Sequence, residues 1–334
     1  MTSRRQFLIW TAAATTVRAD AQRGSVVETA LGPIETAKLG FTLTHEHVVP
    51  ADADGSGSTK TFGSRALSVA SAVAKLKAAR DAGIDTVVSL SPAEAGRDVR
   101  YAAEVSRKSG MQIIVCTGQR LFPPESSHRT TEQLSELFIR EITEGIDGTG
   151  IKAGVIKAAS VSGDVSAAEE RVLRAAARAS KATGVPIETH SNSSERGGIG
   201  QARIFEDEGV SPSRVAIGHS DDTDDLDYLT GLAKRGYTLG MDHAFWGMAP
   251  GAELAWKKRV ETVKHLVDAG FANRMFFSND WVHGAVEREK VNPEGLLFTV
   301  RKTIPYLREI GVSERAIRTI AVDNPRRFFG RATS

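Results

Sequence analysis

The sequence of 334 residues predicts an α/β protein, a single-domain (β/α)8 TIM barrel. Short β-rich runs alternate with stretches of helical period, which is typical of a parallel sheet covered by helices. Eight such units occupy about 290 residues, a length at which one barrel commonly closes. A doubly wound open sheet is the competing architecture.

The predicted strands are runs of β-branched and other apolar residues. They cover residues 41–43, 86–90, 112–117, 153–157, 186–190, 215–219, 237–241 and 275–278. Helical period predicts helices over residues 67–82, 131–146, 167–183 and 253–269. Gly83, Gly184 and Gly270 follow three of these helices, where glycine typically ends a helix.

Composition excludes several classes of protein. The 43 basic and 41 acidic residues give a net charge of +2, and the basic residues are scattered, so no nucleic-acid partner is expected. Cys116 is the single cysteine, which rules out an intramolecular disulfide. Beyond the N-terminus, no run reaches the roughly 18 apolar residues of a transmembrane helix, so we expect no membrane insertion.

The N-terminus has the features of an export signal. Ser3-Arg4-Arg5-Gln6-Phe7-Leu8 matches a twin-arginine motif, and Ala19-Asp20-Ala21 supplies a small-x-small cleavage site. We therefore expect residues 1–21 to be read by the twin-arginine export machinery, and residues 22–334 to form the mature periplasmic or secreted domain. A chance Arg-Arg pair is the alternative, because Arg18 lies close to the cleavage site.

A His-x-His motif follows the first predicted strand. Alternate side chains of a strand share a face, so His45 and His47 project together, about 6.6 Å apart, and can converge on one metal ion. Alone, such a pair is more often a surface pair or a hydrogen-bonded polar pair.

Polar residues recur where later strands end, and these ends surround the active site of a barrel. They are Lys157, His190, His219, Asp242, His243 and Asp280. Hydrogen bonding at the rim or helix capping explains any one of them. With His45 and His47 from the first strand, a lysine, two histidines and an aspartate among these strand ends make a plausible set of ligands for two divalent ions.

Lys157 needs a separate explanation, because an ammonium group cannot bind a metal and is costly in an apolar strand. Burial and nearby cations would lower its pKa and leave an amine that can add carbon dioxide. The resulting carbamate is an anionic bridge for two metals about 3.5–4 Å apart. A snorkelling lysine, or a salt bridge to Asp164 or Glu188, is the alternative.

Five segments carry a resemblance to a known family. They are Gly40-Phe41-Thr42-Leu43-Thr44-His45-Glu46-His47, Gly96-Arg97-Asp98-Val99, Gly154-Val155-Ile156-Lys157, Gly218-His219-Ser220-Asp221-Asp222-Thr223-Asp224-Asp225 and Ser278-Asn279-Asp280-Trp281. With them the chain, from about Val27 to Phe329, resembles the phosphotriesterases of the amidohydrolase superfamily.

The resemblance implies a binuclear centre, usually of zinc, with cobalt, manganese or iron as alternatives, in a homodimer. It assigns His45, His47 and Asp280 to the more buried ion. It assigns His190 and His219 to the more exposed ion, with Lys157, as N6-carboxylysine, bridging both. A bridging hydroxide attacks phosphorus or a carbonyl carbon, Asp280 accepts its proton, and His243 and Asp222 pass that proton outward.

The substrate pocket departs from the organophosphate-degrading members, which surround the leaving group with aromatic residues. The predicted substrate-binding residues here are Arg120, Leu121, Phe245, Trp246, Trp281 and Ala285. The loop over residues 244–251 is short, as in the lactonase branch, but that branch usually carries arginine at the position of His243. For Arg120 an exposed rim position is the alternative, and we expect His265 and His283 to lie on the surface.

The expected activity is hydrolysis of organophosphate triesters, with weaker hydrolysis of lactones or aryl esters. A lactonase with incidental phosphotriesterase activity is the alternative within this chemistry. A catalytically idle barrel that binds a small molecule is the alternative from another class of protein. The intact set of predicted metal-binding residues argues against it.

Overall fold

The structure is a computed structural model that describes residues 25–50, 61–120 and 129–332. The predicted signal segment and Leu121 lie outside these ranges. A small antiparallel sheet, which the sequence analysis did not predict, joins the two ends of the described chain. It consists of β1 (Ser25–Thr29), β2 (Gly32–Glu35) and β11 (Arg331–Ala332), in the order β11-β1-β2.

Eight parallel strands pair in chain order and confirm the (β/α)8 barrel. They are β3 (Thr42–Glu46), β4 (Thr86–Ser89), β5 (Gln112–Gly118), β6 (Val155–Ala159), β7 (Ile187–His190), β8 (Val215–Ile217), β9 (Thr238–Met241) and β10 (Met275–Phe277). Each overlaps its predicted strand. The eighth predicted strand therefore completes a barrel, and the competing doubly wound open sheet is excluded.

Helices surround this sheet. They are α1 (Arg65–Asp81), α2 (Val99–Ser109), α3 (Thr131–Thr143), α4 (Ala167–Thr183), α5 (Gly198–Asp207), α6 (Leu226–Arg235), α7 (Trp256–Asp268), α8 (Val286–Val291), α9 (Ile304–Glu309), α10 (Glu314–Arg318) and α11 (Asn324–Phe329). In the described part of the chain, no helix is long and apolar enough to cross a membrane.

Local sequence sets the ends of these helices. Ser166 and Glu169 form a capping box at the start of α4, and Gly184 ends it in the left-handed conformation, as predicted. The helix predicted over residues 131–146 ends earlier, at Thr143, since the chain turns at Gly145 with φ of 118°.

Strand side chains alternate between two apolar layers. Val87 and Ile113 face outward into the layer shared with the helices, whereas Val88, Ile114 and Cys116 fill the barrel interior. Cys116 is therefore a buried apolar residue, as predicted. Additional interior residues come from β1 and α11, namely Val27, Phe328 and Phe329.

The barrel closes between its last and first strands through the residues that follow β10. The Asp280 N–H donates to the His45 carbonyl at 2.9 Å, and the His47 N–H donates to the Trp281 carbonyl at 2.7 Å. The His283 N–H then donates to the His47 carbonyl at 2.9 Å. We call residues 45–47 and 278–283 the closing seam. Three of the predicted metal ligands lie in it.

Gly118 allows a close approach of β5 to Lys157. Its φ is 109°, and a Cβ atom there would lie 2.0 Å from the Lys157 carbonyl oxygen. We expect Gly118→Ala to lower the free energy of unfolding by roughly 2–4 kcal/mol through overpacking and backbone strain. Gly231→Ala in α6 is the matched control, because its Cβ meets no described atom within 4 Å. That change should raise stability by roughly 0.5–1 kcal/mol. Denaturant unfolding followed by circular dichroism measures both, and equal effects would contradict this account.

Candidate metal centre

The C-terminal ends of the barrel strands bring the predicted ligands together in the interior. His45 and His47 come from the end of β3, Lys157 from β6 and His190 from β7. His219 follows β8 and Asp280 follows β10. His45, Lys157 and His219 are each 1% exposed, so the centre is shielded from solvent.

Potential ligand atoms face one another in pairs. His45 Nε2 lies 2.7 Å from Lys157 Nζ, and His47 Nε2 lies 3.1 Å from Asp280 Oδ1. His190 Nδ1 lies 2.7 Å from His219 Nε2. Among the described residues, His45, His47 and Asp280 form one group that could hold a metal ion, and the overlapping groups His45–His219–Asp242 and His219–His243–Asp280 form two more. The division of the ligands between two ion sites stays a prediction.

Two ligand residues are held in strained backbone conformations. His219 has φ of 57° and Asp280 has φ of 44°, in the left-handed region that non-glycine residues rarely occupy. The strand predicted to run to residue 219 therefore stops at Ile217, and His219 lies in the turn that follows. Such strain persists at sites where surrounding contacts determine the conformation.

Hydrogen bonds to the second ring nitrogen test whether the site suits a metal, and two of the rings have them. His47 Nδ1 lies 2.9 Å from Ser91 Oγ. Asp242 Oδ1 lies 2.8 Å from His219 Nδ1. Asp242 Oδ2 lies 3.1 Å from His45 Nδ1, close enough for an ion pair but without the geometry of a hydrogen bond. Such partners fix the tautomer that turns a lone pair on Nε2 toward the centre. The donor set therefore fits divalent ions.

Electrostatics keep these rings in the metal-binding form. Burial, reinforced by the positive charge of Lys157, lowers the pKa of His45 and of His190 well below the usual value. Burial likewise lowers the pKa of His219. The three rings are neutral at neutral pH, as metal coordination requires.

Lys157 has the environment that the carbamate prediction needs. Burial lowers its pKa to about 8, so the free amine is far more populated near neutral pH than in an ordinary lysine. Glu188 is its neighbour across β6 and β7, yet both Glu188 carboxylate oxygens lack a hydrogen-bond partner among the described residues. The alternative salt bridge to Glu188 is therefore absent. The carbamate itself stays a prediction.

The predicted proton relay has continuous geometry. His243 Nε2 lies 3.2 Å from Asp280 Oδ2, and its Nδ1 lies 2.9 Å from Asp222 Oδ2. Burial opposes a charge on His243, but the two carboxylates outweigh burial and raise the pKa of His243 to about 10. Asp222 is 27% exposed and also binds Arg259, so the relay runs from the centre toward solvent.

Sequence analysis missed Glu46, the residue between the two seam histidines. Its buried Oε1 accepts hydrogen bonds from Ser278 Oγ at 2.8 Å and from the Asn279 N–H at 2.9 Å. Its Oε2 accepts from the Trp281 N–H at 2.7 Å. Burial raises the pKa of Glu46 to about 8, and these bonds oppose that shift. Glu46 thus holds the segment that presents Asp280. The only available signal was a carboxylate inside an apolar strand end.

Asp242 is the second omission from the predicted site residues. The sequence analysis placed it at a strand end but gave it no role. In the structure it is hydrogen-bonded to His219 Nδ1 and lies 3.1 Å from His45 Nδ1. Nothing in the sequence indicates which of two adjacent residues, Asp242 or His243, faces which neighbour.

The predicted substrate residues fall into different surroundings. Phe245 and Trp246 pack together beside His243, with the Trp246 and His243 ring centroids 6.0 Å apart. The Trp281 ring instead packs beside His283 and under the Lys75 ammonium. Ala285 is half-buried just before α8.

Arg120 and the two remaining histidines also have defined positions. Arg120 is half-buried, and its N–H donates to the Glu94 carboxylate. The expectation that His283 lies on the surface is wrong. His283 is fully buried, with Nε2 3.2 Å from the Ser68 carbonyl and its ring stacked on Phe62. His265 is exposed, as expected.

The fold and the site together are those of a barrel enzyme class whose strand-end His and Asp residues could bind metal ions. The sequence model of the phosphotriesterase family matches residues 25–329. The chain belongs to the phosphotriesterase family. This is a family of hydrolases with a binuclear metal centre.

Individual relatives support this assignment. A phosphotriesterase homology protein of Mycobacterium tuberculosis is 36% identical over 325 residues, covering 91% of this chain and 98% of the relative. An aryldialkylphosphatase of Saccharolobus solfataricus is 33% identical over 307 residues, with 89% and 96% covered. A phospho-furanose lactonase of Mycoplasmopsis synoviae is 29% identical over 327 residues, with 90% of each covered.

A solved structure has the same architecture. The phosphotriesterase from Mycobacterium tuberculosis superposes with a TM-score of 0.81 at 34% sequence identity. The similarity covers 92% of this chain and all of that one. The whole barrel, rather than one part of it, is therefore shared.

Glu46→Gln tests whether the seam carboxylate positions Asp280. The amide cannot accept the full set of donors, and a buried unsatisfied donor costs about 1–3 kcal/mol. We expect the variant to fold with reduced stability and to bind less metal, because the His45–His47–Asp280 group loses its alignment. Elemental analysis after metal loading measures the loss.

Glu169→Gln is the matched control for this change. Glu169 is a buried carboxylate that accepts from the N–H groups of Val161 and Ser166, outside the seam. It should lose stability but keep its metal. Full metal content in Glu46→Gln would show that the seam carboxylate is structural only.

Proposed function

We propose that this protein is a metal-dependent hydrolase of organophosphate triesters, with weaker activity on lactones or aryl esters. The observation that carries the proposal is the convergence of His45, His47, His190, His219, Lys157 and Asp280 on one buried centre. The relation to an aryldialkylphosphatase supports the triester as substrate.

Two divalent ions, zinc first, with cobalt, manganese or iron as alternatives, would supply an activated water at neutral pH and polarise the phosphoryl or carbonyl oxygen. His45, His47 and Asp280 would hold one ion, and His190 and His219 the other. Lys157, as N6-carboxylysine, would bridge both.

The chain's own residues then handle the proton and the substrate. Asp280 Oδ2 accepts the proton of the attacking water. The positive charge of the bound ions would lower the pKa of His243 and leave its Nε2 free to take that proton from Asp280, while Nδ1 faces Asp222. The ring of Trp246 lies next to this relay and contacts the substrate at the mouth of the site.

A lactonase with incidental phosphotriesterase activity is the second candidate. It is favoured by Arg120 and Ala285, which replace aromatic residues at the leaving-group positions, and by the short loop that holds Phe245 and Trp246. The relation to a phospho-furanose lactonase points the same way.

Export and assembly stay predictions. We propose a twin-arginine signal over residues 1–21, a periplasmic or secreted mature protein, and a homodimer. Cell fractionation with Arg4 and Arg5 replaced by lysine tests the first two, and light scattering of the purified protein tests the third.

A paired activity panel decides between the two candidates. The metal-loaded protein is assayed on a paraoxon-type triester, an acyl-homoserine lactone and an aliphatic lactone. We expect the largest kcat/KM for the triester. A larger value for either lactone would favour the lactonase, and no turnover of any of them with two bound ions would favour an idle binding barrel.

Lys157→Met tests the bridge. If the lysine carries a carbamate, the variant loses the shared anion, and metal content should fall from about two ions per chain to one or fewer, with loss of activity. Short carboxylic acids should partly restore activity to Lys157→Ala by occupying the gap. Lys264→Met, on the surface beside Asp268, is the control and should change neither quantity. Near-normal metal content and turnover in Lys157→Met would refute the bridge.

A further inference from the structure

Arg288 places a guanidinium at the edge of the metal centre. It lies in α8, and its Nη1 donates to the Asp280 carbonyl at 2.9 Å and to Asp280 Oδ2 at 2.7 Å. Its Cζ lies 5.1 Å from the centroid of a Trp246 ring, the same side chain that flanks His243. The side chain is 31% exposed. A fixed cation therefore borders the space where the substrate must sit.

The charge of Arg288 is only partly compensated. The acidic residues beside it in α8 are engaged elsewhere, since Glu289 pairs with Lys75 and Glu287 pairs with Lys290. Asp280 is shared with His47 and His243. Arg288 makes both of its hydrogen bonds to the described residues through Nη1. Its Nε and Nη2 donors therefore remain for a ligand.

A second guanidinium belongs to Arg120, which follows β5 at the end where Gly118 pairs with Lys157. The Nε atom of Arg120 is buried and has no hydrogen-bond partner among the described residues. Burial is the main cause of the low pKa of Lys157 and of His190, and the charge of Arg120 contributes to both shifts. Glu94, which accepts from the Arg120 N–H, is the acidic group that faces it.

We propose that Arg288, stacked on Trp246, recognises a carboxylate or phosphate that the substrate carries away from its scissile bond. Arg120 adds positive potential on the His190 side. A guanidinium binds such oxyanions through two parallel hydrogen bonds, and an aromatic face holds its plane in place. The preferred substrates are then anionic esters or lactones rather than neutral ones. This inference rests on the proposed hydrolytic function and narrows its substrate class.

Matched substrate pairs test the proposal. One pair is γ-butyrolactone-γ-carboxylate and its methyl ester, and the other is a diethyl 4-nitrophenyl phosphate with a ring carboxylate and its methyl ester. The readout is the ratio of kcat/KM for the anionic member to that for the neutral member, in which a general loss of activity cancels. We expect a ratio above one in the parent and a fall of about 10- to 100-fold in Arg288→Met, because hydrogen bonds to a charged group are lost.

Two further variants sharpen the comparison. Arg288→Lys keeps the positive charge but cannot form the two parallel hydrogen bonds of a guanidinium. Its ratio should lie between that of Arg288→Met and that of the parent. Arg308→Met removes an exposed guanidinium that pairs with Glu314, and it should leave the ratio and the activity unchanged. A ratio that stays the same in Arg288→Met would overturn the proposal.

A binding measurement keeps the proposal separate from the proposed function. The probe is benzenesulfonate, an oxyanion that binds zinc weakly, titrated calorimetrically into the metal-loaded protein. We expect its Kd to rise about tenfold or more in Arg288→Met. If the variant loses binding but the parent turns over no substrate, the proposed hydrolytic function is refuted. The proposed anion site at Arg288 is then still supported. Unchanged binding, with equal loss on both members of each pair, would show that Arg288 acts only through Asp280.

Discussion

The closing seam of the barrel is the constraint on which the rest of the structure depends. Residues 45–47 and 278–283 exchange backbone hydrogen bonds, and the Glu46 carboxylate accepts four more from the later segment. The same few residues supply His45, His47 and Asp280. The hydrogen bonds that close the barrel therefore also align these three predicted ligands. The strained backbone of Asp280 is retained because both sides of the seam fix it.

Buried carboxylates inside the barrel explain why cations would stabilise the centre. Glu188, Asp242 and Asp280 are buried around Lys157, and Glu46 is buried in the closing seam. Burial raises the pKa of Glu188 to about 8 and that of Asp242 well above its usual range, which shows how costly these carboxylates are without positive partners. Divalent ions would supply the missing charge, and the neutral imidazoles already present would bind them without further desolvation cost to a charged group.

In the proposed function, residues at the rim of the site have a different role from residues in its interior. The relay of Asp280, His243 and Asp222 leads from the interior to solvent and suits any ester whose hydrolysis releases a proton. Trp246 and Arg288 flank this relay with an aromatic face and a cation. In the proposed function, the interior therefore carries out the reaction, and the rim selects among substrates.

The sequence by itself determined the barrel and the predicted ligand set. The alternation of β-rich and helical runs is a local property, and the polar ends of those runs identified His45, His47, Lys157, His190, His219 and Asp280. Only the tertiary structure decided the roles of Glu46, Asp242 and Arg288, and the burial of His283. Those roles depend on contacts between residues far apart in sequence, such as Glu46 with Asn279 or Asp242 with His45, which no local pattern encodes.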